Sequence, residues 1–168
     1  MAKKILIAFY SRSGVTLKAC STLAKVLESL GVSATCEEIV DHKSRAGMGG
    51  YVIAGKDAAL KKTTTIDEPQ NIPAEYDMLV LAMPVWAFTV PPAIRAYVDK
   101  TKDRLPAKIS ALCTEGSSGD KRAFCELEKL IDIKLAATVT LIDKKVKTDS
   151  AEEYIEPLNV FAKKLLSL

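Results

Sequence analysis

The chain has 168 residues, 48% of them apolar and 27% charged, which supplies one well-filled domain and falls short of two. Lys and Arg number 24 against 21 Asp and Glu, so the net charge is only +3. Basic pairs such as Lys3-Lys4, Lys61-Lys62 and Lys144-Lys145 are scattered, and the concentrated basic stripe with interleaved aromatics that a nucleic-acid surface needs is missing, so nucleic acid is not an expected partner.

In chain order, residues 4–9 form an apolar run that reads as a strand, and residues 15–30 follow with Cys20, Leu23, Leu27 and Leu30 on one helical face. Residues 33–39, Ser-Ala-Thr-Cys-Glu-Glu-Ile, are polar enough for an edge strand. The segment 41–75 is long for one crossover. It holds the Gly-rich piece Ala46-Gly47-Met48-Gly49-Gly50-Tyr51 and a predicted helix over 57–62, and Met48, Tyr51, Val52 and Ile53 are placed to cover a sheet face. Residues 78–83 are almost continuously apolar, as a strand buried on both faces should be. A helix opens at Pro91-Pro92, where a missing N–H is harmless, and runs toward Lys102. Strands at 109–113 and 136–142 flank a helix at 120–131 with Phe124, Leu127, Leu130 and Ile131 inward. A last helix over 151–166 turns Tyr154, Leu158, Phe161 and Leu165 to one side.

Regular alternation of strand and helix predicts an α/β fold: a doubly wound, five-stranded parallel sheet covered on both faces by right-handed crossovers. With the second strand at an edge, the strand order is 2-1-3-4-5, and ligands are expected beyond the carboxyl ends of the strands where the order reverses. Cys20, Cys36, Cys113 and Cys125 show no Cys-x-x-Cys spacing and read as buried free thiols of a reducing compartment. One histidine, His42, without a Cys/His cluster argues against zinc. Charge precedes apolar residues at Lys3-Lys4-Ile5, yet the apolar run is too short for a secretory signal. The uncharged stretch 78–94 contains Pro84, Pro91 and Pro92 and is too short for a bilayer span. The expectation is a cytoplasmic protein with no membrane partner.

Three loops fall at the ligand end. "SRSGVT" follows the first strand: Gly14 lets the backbone approach a ligand, Ser11, Ser13 and Thr16 carry hydroxyls, and the helix N-terminus beyond attracts anions. A dianionic phosphate suits it. Walker A and dinucleotide fingerprints are absent at this turn. It also lacks the cysteine of a thiol phosphatase, and the first and third strands end in Tyr10-Ser11 and Pro84-Val85 rather than in the acidic residues of a phospho-acceptor. "PVWAFTVPP" follows the third strand and brings Trp86 and Phe88 in a proline-stiffened loop, a plane for stacking on a flat ring. "CTEGSSGDKRAF" ends the fourth strand with Gly116, Ser117, Ser118 and Gly119, a turn rich in backbone donors. Phosphate donors, an aromatic plane and a polar backbone edge together outline FMN.

These stretches resemble the flavodoxin-like family of FMN-binding proteins. "YSRSGVT" is similar to that family's phosphate loop, "PVWAFTVPP" to its second flavin loop and "CTEGSSGDKR" to its third. "RAGMGGYVIAGKDAAL" looks like the segment after the second strand in a subgroup of small bacterial and archaeal members. The resemblance implies that Ser11, Arg12, Ser13, Gly14, Val15 and Thr16 hold the FMN phosphate. It further implies that Pro84, Val85, Trp86 and Ala87 line one side of the isoalloxazine, and that Thr114, Glu115, Gly116 and Gly119 approach its pyrimidine edge. No residue stands out as a catalytic acid, base or nucleophile. Electron-carrier members are usually strongly acidic and cover the second flavin face with a tyrosine from the third loop; this chain is slightly basic and has no aromatic there before Phe124. An open face favours reduction of a small acceptor such as a quinone with NAD(P)H as donor, and a second copy of the chain in a homodimer would equally cover it. The expected role is electron transfer with a redox partner protein or such a reduction. The alternative is a flavin-free protein-interaction module on the same fold.

Overall fold

The computed structural model describes residues 3–42, 56 and 63–168. The apolar run Lys4–Phe9 forms strand β1 at the centre of the sheet, with every residue after Lys4 buried. A strand covered on both faces has no polar side to show, which is why it reads as a continuous apolar run. Helix α1 (Val15–Ser29), strand β2 (Ser33–Glu38), strand β3 (Met78–Pro84), helix α2 (Pro92–Thr101), strand β4 (Ile109–Glu115), helix α3 (Asp120–Ile131) and strand β5 (Thr138–Ile142) follow. A short helix α4 (Asp143–Lys147) comes next, and a π-helical turn over Ala151–Ile155 leads into helix α5 (Glu156–Ser167). All pairings are parallel and the order is β2-β1-β3-β4-β5, as the alternation of elements predicts. The anticipated helix over 57–62 and the sheet cover by Met48, Tyr51, Val52 and Ile53 lie outside the described residues.

Period-two alternation divides the core into two layers. Leu6, Ala8, Leu79, Leu81, Met83, Ile109 and Ala111 face α2 and α3. Ile5, Ile7, Phe9, Met78, Val80, Ala82 and Leu112 face α1 and α5. Both layers are predominantly apolar, Ser110 against Met78 being a buried polar exception, and the sheet itself is the partition between them.

Two expectations are corrected. Leu30 lies outside the apolar face of α1 and is exposed. The helix closes at Ser29, and the left-handed turn at Gly31 (φ 79°) swings Leu30 outward while the Gly31 and Val32 amides close back on the last turn. Cys20 and Cys113 are buried free thiols, but Cys36 and Cys125 are exposed. Cys36 sits on edge strand β2, where little covers the sheet. Cys125 points away from the Ala123, Leu127 and Ile131 face of α3.

Buried polar contacts fix the ends of the chain's excursions. The Glu37 carboxylate accepts the Gln70 amide at 2.6 Å and the Asn71 side-chain amide at 3.1 Å, which ties the returning crossover to β2. The fully buried Tyr154 donates its hydroxyl to Thr22 Oγ1 at 2.6 Å, and Thr22 donates to the Lys18 carbonyl at 3.0 Å. That relay sets the N-terminal half of α1 against the start of the last helical segment. Replacing Tyr154 with Phe keeps the ring and removes one neutral hydrogen bond, so urea unfolding should show a loss of about 0.5–1.5 kcal/mol. An unchanged midpoint would mean that the hydroxyl does not fix α1.

Candidate functional site

Since every strand runs the same way, the β1–α1, β3–α2, β4–α3 and β5–α4 connections all open at one edge of the sheet. They meet in a recess of about 130 Å³ lined by Arg12, Ser13, Val15, Thr16, Pro84, Val85, Trp86, Thr114, Glu115, Gly116 and Asp143. Ten of these are residues the sequence singles out, and Asp143 is the addition. The recess is smaller than the several hundred Å³ of a typical small-molecule pocket. It therefore suits the polar end of a ligand whose remainder lies across the rim.

Its floor is the start of α1. Gly14 takes φ 84°, a left-handed conformation that any side chain would strain, and turns the chain from β1 into the helix. The Ser11 hydroxyl accepts the Leu17 amide at 3.2 Å, and the Lys18 amide bonds the Gly14 carbonyl at 3.0 Å. The amides of Val15 and Thr16 come before those bonds and find no acceptor among the described residues. They are the donors left for a ligand. Thr16, 2% exposed, shares a 2.8 Å hydrogen bond with Thr114, 1% exposed, at the end of β4. A pair of hydroxyls spends one proton on each other and keeps one to give away. Arg12, half-buried, adds a positive charge at the lip.

The β3–α2 connection is a tight turn. Trp86 and Thr89 exchange backbone hydrogen bonds of 3.4 and 3.0 Å, and Ala87 and Phe88 both have positive φ, 48° and 61°. Two successive left-handed residues are the geometry of a two-residue hairpin turn, usually reserved for Asn and Gly. Arg95, 7% exposed on α2, holds the turn from below: it donates to Thr89 Oγ1 at 2.9 Å and to the Val90 carbonyl at 3.3 Å. Burial pulls the Arg95 pKa down and Glu126 partly restores it. Sequence reasoning missed this residue; its signal is an arginine amid the apolar positions of Pro92–Thr101. Trp86 packs edge-on against Tyr10, ring centroids 5.4 Å apart at 89°, and is 7% exposed. Only part of its ring system meets the recess, and the exposed aromatic of this loop is Phe88.

The β4–α3 connection is closed by Glu115, 5% exposed, whose carboxylate accepts the Asp120 amide at 3.0 Å and so caps α3 in place of the side-chain-less Gly119. Asp120 in turn accepts the Thr140 hydroxyl at 2.8 Å. Burial and the neighbouring Asp120 raise the Glu115 pKa against the lowering effect of the Asp120 amide. Asp143, opening α4, is raised by burial, with Lys147 acting in the other direction, and its Oδ1 is buried without a hydrogen-bond partner. The recess thus mixes orphan donors with one orphan acceptor.

Four expected residues lie outside the lining. Ser11 is turned back onto α1, Gly14 supplies the turn, and Ala87 sits at the tip of the Trp86–Thr89 turn. Gly119 is wedged against the second loop: a Cβ there would lie 2.8 Å from Val85 Cγ1 and 3.0 Å from Phe88 Cδ1, at a φ of 122°. Among the described residues no three His, Cys, Asp or Glu are grouped for a metal, and no helix is long and apolar enough to cross a membrane.

Gly119→Ala should cost on the order of 1–3 kcal/mol, because it combines a forbidden backbone region with a clash. Thermal unfolding measures it, and a neutral result would show that the two loops can part freely. Asp143→Asn should flatten the pH dependence of stability. A carboxyl whose folded pKa lies above its ordinary 3.8 stabilises the fold fully below that value and loses this contribution as pH rises through the folded pKa. The wild type should therefore weaken over that window more than the Asn variant, in which only Glu115 still titrates with a raised pKa at this site, as read from melting temperature against pH.

Comparison with known proteins bears on the arrangement directly. A family model described as Flavodoxin matches residues 4–158. No curated protein sequence matches the chain. Among solved structures, a flavoprotein in complex with FMN from Lactobacillus acidophilus NCFM superposes with a TM-score of 0.68 at 20% identity, covering 88% of this chain and 98% of its own. Oxidised Flavodoxin 2 from Bacillus cereus gives 0.58 at 16% identity and covers 98% of each chain. At such identities the superpositions speak for the fold, and the family model, spanning nearly all of the chain, carries the assignment: the protein belongs to the flavodoxin family.

Proposed function

We propose that the recess holds the phosphate and side chain of FMN and that the protein is a redox flavoprotein. The observation that carries this reading is the pair of unbonded amides of Val15 and Thr16 behind a left-handed Gly14, beside the buried Thr16–Thr114 hydroxyl pair. Fixed donors at a helix N-terminus need no reorganisation to meet an anion. The chemistry of the donors fits the group. Ser13, Thr16 and the two amides suit phosphate oxygens, and the orphan Oδ1 of Asp143 suits a hydroxyl of the polyol chain. Val85 and the accessible part of Trp86 form the apolar rim against which a flat ring would rest.

Bound FMN supplies one- and two-electron chemistry, while the chain's own residues bind, orient and exclude water. The finer role follows: exchange of electrons with a partner protein in the cytoplasm, or reduction of a small acceptor such as a quinone. The fold family supports the first, and the lack of an aromatic residue in the Glu115–Asp120 loop supports an open ring face for the second.

Purified protein mixed with FMN should quench the free cofactor's fluorescence and acquire a structured visible spectrum. The double variant Ser13→Ala, Thr16→Ala should weaken FMN by about 1–3 kcal/mol through loss of hydrogen bonds to a charged group, with riboflavin nearly unaffected. Equal losses for both ligands would remove the phosphate from this loop.

A further inference from the structure

The site opens beneath a face that is charged and apolar in a definite pattern. Lys121 and Arg122 occupy the first turn of α3, after Asp120 and Gly119, the latter packed against Phe88; Lys144 follows Asp143, which lines the recess. All three are exposed, and none is paired with another described residue. Of the carboxylates near them, Glu115 is buried, Asp149 pairs with Lys18 at 2.9 Å and Glu153 pairs with Lys145, while Asp120 is half-buried and accepts the Thr140 hydroxyl at 2.8 Å. Phe88 stands at the margin of these cations with 52% of its surface exposed.

That exposure is built rather than incidental. A bulky residue at φ 61° is strained, and the turn that imposes it is pinned by Arg95 through Thr89 and Val90 and backed by Gly119. An aromatic held out on a rigid turn loses little entropy when covered, which is the character of an interface anchor. We propose that this face docks an acidic redox protein, with Phe88 as the apolar anchor and Lys121, Arg122 and Lys144 as the steering charges. The proposal rests on the FMN reading above. A protein fits better than a small anion because none of the three cations borders the recess, and Phe88 is exposed beside it.

The test uses one acceptor in two charge states: native cytochrome c, which is basic, and succinylated cytochrome c, which is acidic and keeps the same haem. The bound FMN is first reduced with a stoichiometric amount of dithionite, which is oxidised to sulfite; each reduced flavin then gives up two electrons, one to each of two ferric haems, and its two protons pass to water. At low salt the FMN-loaded protein should reduce the succinylated form on the order of 10-fold faster than the native form, and added salt should erase the difference. The triple variant Lys121→Glu, Arg122→Glu, Lys144→Glu should invert the order with the flavin spectrum unchanged. Phe88→Ala should slow the succinylated form at every salt concentration. Faster reduction of native cytochrome c, or rates blind to salt, would overturn the proposal. So would a triple variant that loses reduction by NADPH while its cytochrome rates stay as they were, since the cations would then serve a nucleotide. Loss of FMN from Phe88→Ala would place that ring on the cofactor and overturn its role as anchor. If the protein takes up no FMN at all, the reading in the preceding section fails by itself. The charge claim is then judged on the flavin-free protein, which should still bind succinylated and not native cytochrome c in calorimetry at low salt.

Discussion

A hydrogen bond of 2.8 Å between two buried threonine hydroxyls, Thr16 on α1 and Thr114 at the end of β4, joins loops that arise 98 residues apart. Between their strands lies β3, so the bond spans the switch point where the sheet's order reverses. It brings the N-terminal end of α1 against the third loop and turns three separate connections into one recess. The bond itself is worth little, about 1 kcal/mol. Its importance is positional: without a fixed partner at Thr114, the orphan amides of Val15 and Thr16 would face open water instead of a polar corner.

The second loop is held by a different device. A buried guanidinium is expensive unless its donors are used, and Arg95 uses them on the hydroxyl and carbonyl of the turn that carries Trp86 and Phe88. The turn then divides two aromatic tasks. Trp86 is drawn inward onto the edge of Tyr10 and becomes part of the wall, while Phe88 is pushed out by the left-handed backbone that the turn requires. Gly119 completes the arrangement, because only a residue without a side chain lets the start of α3 lie against Val85 and Phe88. Ligand wall and outer face are thus set by the same few contacts.

Much of this is legible in the sequence where the signal is periodic or local. The apolar runs of β1 and β3, the three-and-four spacing of Leu158, Phe161 and Leu165, and Pro91-Pro92 before α2 each specify an element without reference to any other. Strand order follows from the alternation of elements together with the polarity of Ser33–Glu38, which places that strand at an edge. What depends on a distant partner is not legible. Helix α4 has one apolar residue, Val146, in five, so it has no periodicity to find, and with it goes Asp143. The orientation of Trp86 depends on Tyr10 from another loop. Gly119 looks like a ligand contact by position, and its packing against Val85 and Phe88 is not legible, since nothing local says what its missing side chain makes room for. Cys36 and Cys125 sit in apolar surroundings along the chain but are exposed in the fold.

Charge is arranged in two shells of opposite character, and this bears on how such a site could be selective. Inside the recess Glu115 and Asp143 are carboxyls that burial drives toward the protonated form. Both shifts record that this part of the recess disfavours negative charge, with burial the main cause for each. The same recess carries the unbonded amides of Val15 and Thr16 at the start of α1. Outside, cations stand apart from those carboxyls and are free to act over a Debye length of about 10 Å. Burial of Glu115 and partial burial of Asp143 set the acids inside the rim, while Lys121, Arg122 and Lys144 stand exposed outside it, an unevenness that the net charge of +3 over the whole chain does not by itself describe.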